Sequence, residues 1–450
     1  MTARSHRASL RSLLVAAIAL FVASLVPPHA SAAVAPLPHA ALLSSEPAAG
    51  ATTLVAPARI RLVFSEPVEA SMSGIRIVGS GGGRFELAVS TDPHDVHALI
   101  GIPPALQPGA YTVQWHVVSA DGHRVDGAFP FTLGGVAGDS AAAAGVLPNA
   151  NVPVAPTGAA ASVPAAHGAT IDSGFVAALG RRPQVPVLRA VAITFLLSLA
   201  GLSLLIATLP ISGARPMRLA LVLSVLATVF LAAHLIVWSS TAVGGGHSML
   251  DALSLAATTT PGALEIARLA LAFLAFWALS LAKRPGLAAL FAGVAVLITG
   301  ASGHPAVTNP LVSIPAKSIH LAAAAIWLGG LLWIMTAERH GARYVEGTRR
   351  ISSLALAAVI IVVATGVLQS ILFLPRLAAL TDSTYGRLIL AKSAGLLILV
   401  FFGAFHRRIV PRLDTTMARR RLRGSVRLEI VVMIAVSIAG GLLAAIAPPR

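Results

Sequence analysis

Trp115-His116-Val117-Val118-Ser119-Ala120-Asp121-Gly122-His123 is the stretch that decides how the first third of the chain is read. Tyr111, Val113, Trp115 and Val117 take every second position, and the alternation stops at Ser119, where small and turn-forming residues begin. Large apolar residues at period two mark a strand with one buried face. The same period runs outward on both sides. Ile60, Leu62 and Phe64 alternate with Arg61, Val63 and Ser65; Ile75 and Ile77 flank Arg76; Phe85, Leu87 and Val89 follow, then Leu99; Phe129, Phe131 and Leu133 close the series. Glu46-Pro47, Glu66-Pro67, Gly79 to Gly83, Pro103-Pro104, Pro108-Gly109 and Asp121-Gly122 punctuate these runs as turns. About seven short strands between residues 39 and 134 predict an all-β, Ig-like or Greek-key sandwich. The chain has no cysteine, so an aromatic and aliphatic core must hold this domain without disulfides.

Beyond residue 134 the pattern changes twice. Residues 135–183 are rich in Ala, Gly, Pro, Val and Ser, with Phe175 the one aromatic, and read as a flexible linker. Residues 187–448 carry apolar runs near 187–209, 217–240, 263–282, 286–301, 313–336, 351–374, 387–405 and 426–446. Most are long enough for a hydrocarbon core of about 30 Å, and the fourth is short. The expected architecture is mixed: a β-sandwich followed by an α-helical polytopic membrane bundle of about eight spans. Only 11% of the 450 residues are charged, against roughly 25% in soluble domains, which excludes a purely soluble enzyme.

Arg4, Arg7 and Arg11 precede the apolar run Leu13–Val26, and Ala30-Ser31-Ala32 comes next as a cleavage pattern, so residues 1–32 read as a signal peptide. With the sandwich outside, the inward loops carry Arg215 and Arg218; Lys283 and Arg284; Arg339, Arg343, Arg349 and Arg350; and Arg407 through Arg427. The outward loops carry little beyond Lys317, Arg376 and Arg387. This asymmetry predicts a multi-pass cell-membrane protein whose N-terminal domain is extracytoplasmic. It also explains the net charge of +16, including Arg419–Arg423, as a topology signal in contact with the bilayer and not a nucleic-acid surface.

Asp121 and His123 can share one face if their segment is extended, and carboxylate oxygen with imidazole nitrogen suits Cu(II). By itself, Asp-x-His is more often a solvated turn. His39 opens the first expected strand, in Pro38-His39-Ala40-Ala41-Leu42-Leu43. His94, His97 and His116 are further imidazoles, and His94-Asp95-Val96-His97 fits either a metal or a solvated loop. In the spans, an ionisable residue is expensive and defaults to function, with a helix–helix hydrogen bond as the simpler account. His234, His304, His320 and His247 all fall toward the outward half and form a candidate copper path. Met249 and Met335 are candidate soft ligands or plain apolar residues. Glu265 and Lys392 also fall within spans, and Glu265 can pair with Arg268 at i,i+3. Gly300, Gly329 and Gly330 are expected to permit close helix packing.

Three segments carry a resemblance: His39 through Gly50, Leu62-Val-Phe-Ser-Glu-Pro-Val68, and Trp115 through His123. Together they resemble the CopC family of periplasmic copper-binding proteins across 39–134. The resemblance implies a β-sandwich with one Cu(II) held by His39, Asp121 and His123. In that family the His is usually the mature N-terminus, whereas Pro38 precedes it here, and cleavage after Ala32 leaves about six residues before it. Met72 is the domain's single thioether, so no dedicated Cu(I) site is expected there. Ser302-Gly303-His304, His320 with Trp327-Leu-Gly329-Gly330, Tyr385-Gly386-Arg387-Leu388 with Lys392, and Gly403-Ala-Phe-His406-Arg407 resemble the CopD family across about 187–448. The chain as a whole is similar to CopC–CopD fusions of the YcnJ type. The two resemblances imply a non-enzymatic copper-uptake protein for homeostasis or resistance, taking Cu(II) at the β domain and Cu(I) in the membrane. A copper chaperone or a reductase is the expected partner. The alternatives are sequestration or delivery to an extracytoplasmic enzyme, and a membrane cytochrome with span histidines on haem.

Overall fold

The computed structural model describes residues 40–134, 183–209, 214–243, 248–306, 309–338, 342–413, 415–446 and 448. The expected signal peptide at 1–32, the linker apart from Pro183, and the candidates His39 and His247 lie outside the described residues. The chain divides into two compact units, Pro38–Ala169, and Met1–Leu37 with Thr170–Arg450.

Among the described residues, the first unit holds nine strands: β1 (Leu42–Glu46), β2 (Thr52–Thr53), β3 (Ile60–Phe64), β4 (Gly74–Gly79), β5 (Arg84–Leu87), β6 (Val89–Asp92), β7 (Asp95–Gly101), β8 (Gly109–Val118) and β9 (Arg124–Leu133). Two more strands form than the alternation predicts, because β2 is two residues long and β5 and β6 divide one apolar run. One sheet has the order β1-β3-β7-β6 and the other β2-β9-β8-β4-β5. β2 runs parallel to β9, and the remaining pairs are antiparallel.

The alternating residues meet between the sheets. Ile60, Leu62 and Phe64 from β3 are buried with Val113, Trp115 and Val117 from β8 and Phe129, Phe131 and Leu133 from β9. Phe64 meets Trp115 edge to face, with centroids 5.1 Å apart. A Cβ at Gly127 would lie 2.3 Å from the Trp115 indole, so only glycine lets the ring lie on β9. Phe85 departs from the expected burial and is exposed, since β5 is an edge strand with a neighbour on one side only.

The second unit is helical: α1 (Gln184–Thr208), α2 (Arg215–Val243), α3 (Met249–Ala257), α4 (Thr260–Ser280), α5 (Pro285–Thr299), α6 (Pro310–Thr336), α7 (Ala342–Phe373), α8 (Ala379–Asp382), α9 (Thr384–Ile409) and α10 (Thr416–Leu443). Among the described residues seven of these are long and apolar enough to cross a membrane, and α5 is the short apolar helix expected fourth. α1 is the most buried of the seven and packs against α2, α5, α6 and α10. Its contact with α6 is backbone on backbone. A Cβ on Gly201 would fall 1.8 Å from the Ala325 carbonyl oxygen, and one on Gly329 would fall 2.2 Å from the Gly201 carbonyl carbon. Small residues permit this approach, which gives dispersion contact where lipid offers no hydrophobic drive.

The bundle has two distinguishable ends. At one, Arg423 at the start of α10 donates to the Met335 carbonyl at the end of α6. This is the end where the arginine-rich connections gather, here called the basic end. At the other, Arg189 in α1 donates to Ser302 Oγ at 2.8 Å, and Lys317 in α6 donates to the Ser302 carbonyl at 2.6 Å.

Candidate metal centre

The turn between β8 and β9 brings Asp121 and His123 together. Ser119 N–H donates to the His123 carbonyl at 2.9 Å and Gly122 N–H to the Ser119 carbonyl at 2.8 Å. Gly122 has φ of +89°, the left-handed region that other residues enter at a cost. The pair therefore meets through a tight turn and not through an extended segment as the spacing alone suggested. Asp121 Oδ1 accepts from the Ser119 hydroxyl and from His123 N–H at 3.2 Å. Asp121 Oδ2 stands 2.9 Å from His123 Nδ1. The carboxylate is fully buried while the imidazole keeps 22% of its side-chain surface open. A fixed carboxylate beside a partly open imidazole is a preorganised oxygen–nitrogen donor pair.

The neighbouring loop ties this turn to the start of the domain. Ala120 N–H donates to the Pro67 carbonyl at 2.9 Å, and Ser65 N–H donates to the Ala41 carbonyl at 2.9 Å. Ala41 N–H returns a bond to Ser65 Oγ at 3.0 Å. Residues 65–67 thus hold both the Asp121 turn and the chain two residues after His39.

The other imidazoles of the domain have separate partners. His97 Nδ1 stands 3.3 Å from Asp95 Oδ1, and Arg61 bridges Asp92 and Asp95 at 2.9 and 3.0 Å. The His94 N–H and the Arg61 guanidinium hold Asp92 below the usual carboxylate range, and the His97 N–H does the same for Asp95. His116 packs over Gly74, and burial, helped by Arg124, pushes its imidazole down to about 4. Met72 is buried in the sandwich.

In the bundle the candidate histidines are buried and dispersed. His234 on α2 faces Glu265 on α4, with Nδ1 3.4 Å from Oε2, and Glu265 also pairs with Arg268 at i,i+3. The expected Glu265–Arg268 pair therefore has an imidazole as third member. His320 sits just under three turns from the start of α6, and its Nδ1 lies 2.9 Å from Thr365 Oγ1 on α7. His304 lies in the turn His304–Ala306, edge-on to Phe373 and Tyr385 with centroids 6.3 Å away. His234 and His320 are thus engaged with different helices. Among the described residues no three His, Asp or Glu side chains converge to hold a metal.

One polar centre has no counterpart in the expected sites. Glu429 on α10, 1% exposed, accepts from Trp327 Nε1–H at 3.0 Å. Its Oε2 is 3.1 Å from His406 Nδ1, and His406 Nε2 is 2.7 Å from Ser425 Oγ. The sequence signal was available, since Glu429 is a carboxylate inside the last apolar run at 426–446, where an ionisable residue is expensive.

The CopC domain family matches residues 42–134, and the family described as Copper resistance protein D matches residues 346–443. Protein YobA of Escherichia coli (strain K12) is 37% identical over 119 residues, which are 26% of this chain and 91% of that protein. The chain is a CopC–CopD fusion. Copper transport protein CutJ of Bacillus subtilis (strain 168) is 25% identical over 429 residues, 89% of this chain and 73% of that protein. Copper resistance protein C of Pseudomonas syringae pv. tomato is 33% identical over 102 residues, 21% of this chain and 80% of that protein. The CopC domain contains the Asp121–His123 turn. The CopD match begins within α7 and takes in Lys392, His406 and Glu429, while His234, His304 and His320 precede it. With its apolar helices and CopD region, the fusion is a multi-pass membrane protein.

Proposed function

We propose that the fusion is a copper-uptake protein, in which the CopC domain captures Cu(II) outside the cell and the CopD bundle carries copper across the membrane. The Asp121–His123 pair carries this reading. At 2.9 Å, Asp121 Oδ2 and His123 Nδ1 are spaced as neighbouring ligands of one ion with bonds of about 2.0 Å. The CopC resemblance adds His39 as a third ligand. The names of CutJ and of Copper resistance protein C support copper as the cargo. The basic loops support an orientation with the CopC domain outside. His304, His234 and His320, at the end away from those loops or toward it, would then receive copper, after reduction by a partner.

The test is Cu(II) titration of the full chain in detergent, followed by electron paramagnetic resonance. One tetragonal Cu(II) signal is expected, with affinity falling in Asp121→Ala and His123→Ala by more than the roughly 10–100-fold that loss of a group merely supporting a ligand costs, and falling also in His39→Ala. A Cu(II) signal that all three variants retain overturns the capture site. Wild-type proteoliposomes that accumulate no copper overturn the uptake step.

A further inference from the structure

The two ends of the β-sandwich differ in charge. At one end lies the Asp121 turn. Val68 N–H donates to the Val96 carbonyl at 3.0 Å, Glu69 N–H to the Val118 carbonyl at 2.8 Å and Ala120 N–H to the Pro67 carbonyl at 2.9 Å. Glu66, Glu69, Asp92, Asp95 and Asp121 therefore gather at this end. The opposite end is closed by residues 54–59, 102–108 and the turn 79–83. Ile60 pairs with Gly101, which sets the first two loops side by side. Ser80 N–H donates to the Ala110 carbonyl at 2.9 Å, which places the turn beside the start of β8. β8 runs from this end to the Asp121 turn in ten residues. At a strand rise of about 3.4 Å per residue the two ends stand about 30 Å apart.

The far end is apolar where it is most exposed. Leu54 is 82% exposed, Val55 79% and Ile102 68%. Across 54–58 and 102–108, Gln107 is the one polar side chain. Arg59, next in the first loop, is paired with Glu46 at 3.4 Å, and the 79–83 turn leads into exposed Arg84. A single exposed aliphatic residue is ordinary, whereas uncharged adjoining loops with three of them mark a surface that meets something apolar. The course of the chain favours a bilayer. Gly134 N–H donates to the Thr53 carbonyl at 2.8 Å, and a Cβ on Gly134 would lie 3.8 Å from Leu54 Cδ2. The domain thus leaves toward the membrane helices from the same end that carries the aliphatic side chains. A domain tethered to a membrane protein meets lipid at high effective concentration, so a small apolar contact with one cation beside it suffices to hold it there.

We propose that this tip, formed by Leu54, Val55 and Ile102, docks into the headgroup region of the bilayer, about 5–10 Å deep, and holds the Asp121 turn on the solution side. The docking does not rest on the uptake reading. The chain has no cysteine, so a nitroxide on a single introduced cysteine reports one position. Full-length protein is placed in bilayer discs of phosphatidylcholine with phosphatidylglycerol, and relaxation by oxygen, which concentrates in lipid, is compared with relaxation by a water-soluble nickel chelate. Labels at Leu54→Cys and Ile102→Cys should be relaxed more by oxygen than by nickel. A label at Val96→Cys, also exposed but at the carboxylate end, should show the reverse. With the label at Val55→Cys, adding Leu54→Asp and Ile102→Asp should turn an oxygen-dominated signal into a nickel-dominated one. Both changes are at exposed side chains, so the tryptophan fluorescence of the β domain should stay as in wild type. Nickel-dominated signals at the tip overturn the docking. Exclusion of both relaxants there shows that protein, such as a second copy of the chain, covers the tip, and also overturns it. An oxygen-dominated signal that survives the two aspartates overturns the role of the aliphatic side chains, and an oxygen-dominated signal at Val96→Cys overturns the orientation.

Discussion

The fusion contains the same chemical pair, a carboxylate beside an imidazole, in two unlike settings. Asp121 and His123 lie two residues apart on a hairpin, and backbone N–H groups and Ser119 hold the carboxylate in place. His406 and Glu429 lie on different helices and meet only because α9 and α10 pack together. The hairpin imidazole is partly open, whereas Glu429 is almost entirely enclosed and His406 nearly so. An open, locally fixed pair can exchange a ligand with solution. An enclosed pair has to keep its hydrogen-bond partners, because an uncompensated charge there is costly.

The strongest way to break this comparison is to remove one member of the enclosed pair. Glu429→Leu strands the His406 and Trp327 donors and should cost about 3–5 kcal/mol, read from thermal unfolding in detergent. The double variant Glu429→Leu with His406→Leu should cost less than Glu429→Leu alone. If the two costs simply add, the pair is not a coupled unit. On the hairpin, Gly122→Val forces a β-branched residue to φ of +89° and should cost roughly 1–2 kcal/mol, with loss of the Cu(II) signal as Asp121 and His123 part. Retention of that signal would show that the turn does not set the pair's geometry. Ser119→Ala removes one donor from the Asp121 carboxylate and should cost about 1 kcal/mol, measured by the chemical denaturation midpoint of the β domain's tryptophan fluorescence.

A pH-dependent effect of similar size to these is expected in the same domain. The His116 imidazole is held down to about 4 in the fold, against about 6.5 for the unfolded chain. Between those values the unfolded state binds the extra proton, so the β domain loses stability as pH falls from about 6.5 toward 4. Allowing for partial exposure, the loss is on the order of 1–2 kcal/mol, and His116→Gln should flatten it. Asp92 and Asp95, held low, add their own loss at more acid pH, below the ordinary carboxylate range.

How much was legible depends on how local each feature is. Period two alone marked Ile60, Leu62 and Phe64 as core, since a strand's side chains alternate whatever the partner strand is. Phe85 carried the same period yet is exposed, because burial on an edge strand depends on which neighbours the sheet supplies. The apolar runs of the bundle were legible for the same local reason, as each span must satisfy its own backbone hydrogen bonds. The residues on which two helices touch were legible only as glycines, not as the Gly201–Gly329 contact. His234 could be singled out as an expensive residue, but its place on Glu265 and Arg268 comes from the packing of α2 on α4.

The sequence by itself therefore determined the two architectures, the family resemblance and the Asp121-Gly122-His123 turn, all of which depend on residues within a few positions of each other. Only the tertiary structure decided that Trp327, His406, Ser425 and Glu429 form one buried polar centre. These side chains lie up to 102 positions apart, and a distance of about 3 Å between them is set by helix packing, which no local pattern encodes.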